Sequence, residues 1–213
     1  MGIFSRLWLA LPLGLMALAA QAATGDVQAR LAQVMGDAEA RAAAAQAGKR
    51  AAFFCENCHG ATGNSPREYD YVPNLAGQDP EYLLHQIDKF GDGRRQDEFM
   101  SGLVKVLKPQ DRFNIAVFYA VQAVEPTPAR DPSLVQAGRE HFLRACRGCH
   151  GVEAKGNREV ARLAGQRYTY LVNALKDYRA GKGRRSDPRM TSVARSLGDQ
   201  QIQALANYLS SMK

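Results

Sequence analysis

The chain has 213 residues, a formal net charge of +7 and four cysteines. That length allows one large domain or two small ones and excludes a large multidomain enzyme. With 46% hydrophobic and 23% charged residues it is composed as a folded chain, and four cysteines are too few for a disulfide-dense scaffold. The basic balance points toward acidic partners, whether nucleic acid, a membrane surface or an acidic protein.

The N-terminus reads as a secretory signal peptide over residues 1–22. Arg6 supplies the positive start, Leu7 to Ala20 is an apolar run broken by Pro12 and Gly14, and Ala20-Gln21-Ala22 is a small-x-small cleavage site. The alternative, an uncleaved anchor, is disfavoured because the run is short for a membrane span. No later segment is apolar enough to span. Cleavage would remove Arg6 and the single tryptophan, Trp8, and would place the mature chain in the periplasm.

An Ala-rich stretch over residues 24–47, split at Gly36-Asp37, reads as a packing or solvated helix. Helical patterns then cover Ala38 to Phe54, a segment starting at Asp79 (N-cap) and Pro80 (first helical position), and a segment carrying Phe113, Val117, Ala120 and Val121. The second half repeats them: Ser133 to Ala145, a helix with Tyr170, Leu171, Leu175 and Tyr178, and one with Ile202, Leu205 and Leu209. No strand alternation appears. Gly48 and Gly138 inside helices predict close crossings, over Tyr119 and Tyr208 respectively.

The chain is one motif set written twice, with a spacing of roughly 90 residues. Cys55-Glu56-Asn57-Cys58-His59 returns as Cys146-Arg147-Gly148-Cys149-His150, and Leu75-Ala76-Gly77-Gln78 as Leu163-Ala164-Gly165-Gln166. Gly93-Arg94-Arg95 returns as Gly183-Arg184-Arg185, Met100 as Met190, and Tyr119 as Tyr208. Between the copies, Glu125 to Pro132 holds three prolines and no periodicity, as an extended linker would. The expected division is therefore a first domain over 23–124 with the Ala-rich extension, a linker over 125–132 and a second domain over 133–213.

Cys-x-x-Cys-His is the spacing of covalent haem attachment. Two thiols three positions apart can add to the two vinyl groups of a porphyrin, and the adjoining histidine then lies beneath the iron. Cys55 and Cys58, and Cys146 and Cys149, would each hold one haem c, with His59 and His150 as iron ligands. Local disulfides or a zinc site are the competing uses of these thiols. A disulfide leaves the histidine after each pair unexplained, and zinc does not explain two pairs in two similar halves. The second axial position falls to Met100 and Met190, each about 40 residues beyond its histidine, as in methionine/histidine haem proteins. Met35 precedes the first motif and Met212 lies at the C-terminus, so both read as core. His85 and His141 are unrepeated and read as helix-face residues. Arg95 and Arg185 sit shortly before the two methionines and are candidate contacts to haem propionates.

On these residues, with Pro73-Asn74-Leu75-Ala76-Gly77-Gln78 and the Tyr-Leu helices at Tyr82 and Tyr170, the sequence resembles the cytochrome c4 family of diheme cytochromes. The resemblance spans roughly residues 45–213. It implies an all-α fold of two tandem class I cytochrome c domains, each around one covalently bound haem. It also implies His59/Met100 and His150/Met190 ligation and single-electron transfer, often toward a terminal oxidase. The family proline whose carbonyl meets the ligand histidine is present as Pro73, but the second half has Ala161 there. Expected partners are redox proteins with acidic docking patches. Nucleic acid is excluded for an exported haem protein, and membrane association would be peripheral. Two alternatives differ in role: a cytochrome subunit of a dehydrogenase such as a sulfur-compound-oxidising flavocytochrome, or a diheme peroxidase or gas-binding enzyme. The last needs an open axial site, against which both methionines argue.

Overall fold

The computed structural model describes residues 26–181, 185 and 187–213. The expected leader at 1–22 and Gly183 and Arg184 of the second Gly-Arg-Arg lie outside the described residues. Among the described residues the fold is helical, with a single isolated bridge between Asn157 and Val160. None of the described helices is long and apolar enough to cross a membrane.

The first half contains α1 (residues 26–36), α2 (Ala38–Ala51), α3 (Phe53–His59), α4 (Pro80–Gly91), α5 (Glu98–Lys105) and α6 (Pro109–Ala120). The second repeats five of these as α7 (Val135–Ala145), α8 (Arg147–His150), α9 (Tyr168–Ala180), α10 (Pro188–Arg195) and α11 (Asp199–Ser211). Each half has its own apolar core. Leu83, Phe113, Val117 and Tyr119 anchor the first; Phe142, Leu171, Ile202 and Leu205 anchor the second.

The Ala-rich segment is two packed helices broken at Asp37, whose carboxylate caps α2 by accepting from Ala40 N–H at 2.7 Å. In α1, Leu31 is buried in the first core, and the Arg30 guanidinium lies 4.2 Å from the centre of the Phe113 ring. The helix expected over 38–54 is interrupted at Ala52, whose backbone (φ −82°, ψ 6°) closes α2 before α3 begins. The cysteine motif therefore occupies a short helix of its own.

Two helix crossings frame the repeat. A Cβ on Gly48 would lie 2.0 Å from Asn114 O, and one on Gly138 would lie 2.0 Å from Ala204 O, so only glycine lets α2 meet α6 and α7 meet α11 this closely. Gly138 lies against Tyr208 as expected, but Gly48 lies against Phe118 rather than Tyr119. Tyr119 matches Leu209 instead: their carbonyls accept from Gly77 N–H at 3.0 Å and Gly165 N–H at 2.9 Å, respectively. A correspondence based on tyrosine identity alone is off by one residue, and hence by most of a third of a helical turn.

The halves meet through their Leu-Ala-Gly-Gln loops. Gly77 and Gly165 both have positive φ (63° and 71°), and the side chain of Val124 fits against the pair, one methyl toward each glycine. The segment that follows is fastened on both sides. Glu125 N–H donates to Asn64 Oδ1 (2.9 Å), Thr127 N–H to Ser210 O (3.0 Å) and Asp131 N–H to Asn207 Oδ1 (2.8 Å).

Candidate functional site

The two helices α3 and α8 end at a histidine followed by glycine. Gly60 and Gly151 take φ of 78° and 77°, which turns the chain sharply away from each ring. His59 and His150 are both buried. Their Nδ1 atoms bond Pro73 O and Ala161 O, each at 2.8 Å. The bond therefore has the same length with alanine as with proline, because it uses the main-chain carbonyl that both residues supply. With Nδ1 committed, the ring proton is fixed there and Nε2 is the nitrogen left to ligate. Burial pushes both imidazoles below the ordinary histidine range, against the two carbonyl bonds that favour the protonated ring. They are neutral at pH 7, as metal ligation requires.

Met100 and Met190 occupy the same position on equivalent helices. Asp97 caps α5 by accepting from Met100 N–H at 3.0 Å, and Asp187 caps α10 by accepting from Met190 N–H at 3.3 Å. Each methionine is thus the third residue after its capping aspartate, which fixes where the thioether leaves the helix. An Asp-x-x-Met string at 97–100 and 187–190 carries this information in the sequence. It is a cap signal that haem-motif spacing alone does not reveal.

One cavity of about 660 Å³ runs between the halves. Cys55, Cys58, His59 and Met100 line it on one side, and Cys146, Cys149, His150 and Met190 on the other. Arg95 and Arg185 line it as well. All ten residues singled out from the sequence are brought to one place. Met35 and Met212 instead pack against the two cores. His85 lies 4.0 Å from Glu81 on α4, and His141 accepts from Arg144 Nη2 at 2.8 Å on α7; neither lines the cavity.

The lining suits a haem. Its neutral imidazoles and thioethers are a pair that holds haem iron, and its thiols are the groups that can add to the porphyrin vinyls. Burial pushes the Cys55 and Cys146 thiols up to about 11, so neither is a free thiolate at neutral pH. The buried hydroxyl of Tyr119, also in the lining, has no protein partner among the described residues. Where the halves touch, Arg185 Nη2 and Arg95 Nη2 donate to the hydroxyl of Tyr170 at 2.7 and 3.2 Å. Burial pushes this phenol up, but the two guanidiniums, Arg185 foremost, more than offset it and hold Tyr170 at about 8. The nearby Tyr82 phenol is raised, chiefly by burial. Two half-buried arginines from different halves thus form one cationic point on the cavity wall.

Comparison with known proteins agrees with this geometry. The cytochrome c family profile matches residues 135–213. Cytochrome c4 of Pseudomonas aeruginosa is 37% identical over 177 residues, covering 78% of this chain and 87% of that protein. The thiosulfate dehydrogenase electron acceptor of Thiomonas intermedia is 33% identical, covering 74% of this chain and 78% of its own. The crystal structure of reduced recombinant cytochrome c4 from Pseudomonas stutzeri superposes with a TM-score of 0.72 at 31% identity, covering 79% of this chain and 98% of that one. The chain belongs to the cytochrome c4 family: it is a two-domain electron carrier with two covalently bound haem c groups, and not an enzyme.

Proposed function

We propose that the protein works in the periplasm as a diheme shuttle in which each domain holds one iron between a histidine and a methionine. Cys55 and Cys58 attach the first haem and His59 and Met100 ligate it; Cys146 and Cys149 attach the second and His150 and Met190 ligate it. The observation that carries this reading is the single cavity lined by both complete ligand sets. Haem, when bound, supplies a one-electron ferric/ferrous couple. The protein's own part is to keep that couple closed and rigid. The Nδ1 bonds orient both imidazoles, the aspartate caps fix both methionine helices, and the thioether favours the reduced state while blocking small ligands.

Arg95 and Arg185 are assigned to the haem propionates. They lie together beside the cavity, and a guanidinium fork matches a carboxylate. The leader at 1–22 supports export, and the division at 125–132 follows the change from helix to fastened extended chain. Redox partners would dock transiently, guided by the basic charge toward acidic patches. Thiosulfate dehydrogenase electron acceptors among the relatives favour a second role, as acceptor for a periplasmic dehydrogenase.

The test is a spectroelectrochemical titration with carbon monoxide added to the reduced protein. The parent should show two one-electron steps and bind no carbon monoxide at neutral pH. Met100→Ala and Met190→Ala should each open one iron and bind one equivalent. Stoichiometric binding by the parent would overturn the closed-site reading. Rapid reduction by a purified dehydrogenase, in a stable one-to-one complex, would select the second role.

A further inference from the structure

We propose that the glutamine ending each Leu-Ala-Gly-Gln motif is a positioning residue for the haem of the opposite domain. Gln166 would act on the iron held by His59, and Gln78 on the iron held by His150. The inference rests on the ligation reading above.

Its basis is one peptide unit in each domain. The Pro73–Asn74 peptide has its carbonyl on His59 Nδ1 at 2.8 Å, and its N–H donates to Gln166 Oε1 at 2.7 Å. The Ala161–Arg162 peptide has its carbonyl on His150 Nδ1 at 2.8 Å, and its N–H donates to Gln78 Oε1 at 2.9 Å. Each glutamine crosses the interface to reach the other domain's histidine loop. Each also donates back through Nε2, Gln166 to Asn74 O at 3.0 Å and Gln78 to Arg162 O at 2.8 Å, so the amide is held against the backbone by two bonds. Gln166 Oε1 further accepts from Arg167 N–H at 2.9 Å, and Asn74 Nδ2 donates to Gly165 O at 2.8 Å. Gln78, Asn74 and Gln166 are all buried, so water does not substitute freely for these contacts.

The two ends of a peptide group are conjugated. A bond accepted from its N–H makes its carbonyl the stronger acceptor, as in any polarised hydrogen-bond chain. The carbonyl then draws harder on the imidazole proton, the ring becomes the more electron-rich ligand, and the ferric state gains. Each domain thereby lowers the potential of its neighbour's haem through three bonded groups: glutamine, peptide and histidine. A glutamine serving only to hold the interface would have no such crossed effect.

The experiment uses the haem-loaded full chain and the variants Gln166→Met, Gln78→Met, Gln166→Glu and Gln78→Glu. Reference variants Met100→His and Met190→His mark which haem is which by their spectra. Gln166→Met should raise the potential of the His59 haem and leave that of the His150 haem unchanged; Gln78→Met should do the reverse. In the reduced protein the Nδ1 proton of the affected histidine should move upfield and exchange faster. Gln166→Glu and Gln78→Glu, which keep an acceptor at Asn74 N–H and Arg162 N–H, should lower the His59 and His150 haem potentials respectively, and each decides the matter if the corresponding Gln→Met variant fails to fold. A shift confined to the haem of the same domain, an equal shift of both, or no shift in a folded variant would overturn the proposal. The ligation reading fails separately, if the His59 ring protons are absent from the haem-shifted resonances of the oxidised parent.

Discussion

The two domains share a skeleton and differ in how it is fastened. In the first, Asp79 caps its own helix α4, accepting from Glu81 N–H at 2.9 Å and Tyr82 N–H at 3.3 Å. The equivalent α9 begins at Arg167 with no side-chain cap of its own. Its cap comes from the other domain. The Asp70 carboxylate accepts from Thr169 N–H at 2.8 Å, and the Asp70 carbonyl accepts from Tyr170 N–H at 3.0 Å. Asp70 also meets Arg130 of the linker at 2.6 Å. The ion pair bracing the last helix is reversed as well. Asp88 on α4 meets Arg112 on α6 at 3.1 Å, whereas Arg179 on α9 meets Asp199 on α11 at 2.7 Å. Either arginine also reaches an equivalent carbonyl, Leu107 O from Arg112 and Leu197 O from Arg179. The constraint is that a guanidinium close the end of the methionine helix; which helix supplies it is free. The second domain is thus the dependent one, since part of its secondary structure is completed by the first.

The surfaces around the cavity differ too. Phe53, Phe54, Tyr71 and Phe99 are exposed on the first domain. In the equivalent positions the second has Arg144 and Ala145 for Phe53 and Phe54, and Arg189 for Phe99. At these positions the first domain offers aromatic edges where the second carries guanidiniums, of which Arg189 is paired with Asp187 at 3.1 Å.

The largest test of the shared skeleton is at its crossings. Gly48→Ala and Gly138→Ala each force a Cβ into a backbone carbonyl and should cost about 2–3 kcal/mol or more. Urea unfolding of the haem-loaded protein would read this, and equal losses at both sites would show the crossings to be equivalent. Next comes the borrowed cap. Asp70→Ala should cost about 1–2 kcal/mol, felt as faster amide exchange in the first turn of α9, in the domain that does not contain the mutation. Asp79→Ala should cost about 1 kcal/mol and loosen only α4. An effect of Asp70→Ala confined to the first domain would break the contrast. The smallest effect is in acid. The hydrogen bond from Arg179 holds the Asp199 carboxyl below the usual carboxylate range. Its contribution is present above the unfolded value of about 3.9 and is lost as pH falls through the depressed folded value. Asp199→Asn should therefore flatten a minor part of the acid limb of a pH–stability curve, and this exposed pair should vanish from the curve in high salt.

The fold and the candidate site residues were legible because both are local or repeated. Cys-x-x-Cys-His is contiguous, Met100 and Met190 stand at matching distances, and Asp79-Pro80 marks a helix start in two letters. What escaped depends on contacts between copies. Nothing near Arg167 signals that its helix is capped by Asp70, and Gln78 and Gln166 read as loop residues until the domains are docked. The tyrosine pairing failed for a different reason. Tyr119 and Tyr208 match as letters, but the crossing geometry pairs Phe118 with Tyr208, because main-chain contacts, and not side-chain identity, set the register. The caps at Asp97 and Asp187 are local, since each aspartate stands three residues before its methionine.

Val124 bears on how such a molecule can be assembled. Its two methyls occupy two glycine notches, one in each domain, at the place where the copies face each other. Two copies of the first domain brought together in this way would present two Val124 side chains to a space that takes one. The docking surface is therefore that of a tandem chain, with one wedge shared between its two halves. Separating the domains by cleavage after Val124 would leave the wedge with the first and an unfilled notch on the second, so a cut in the linker would not yield two equal halves.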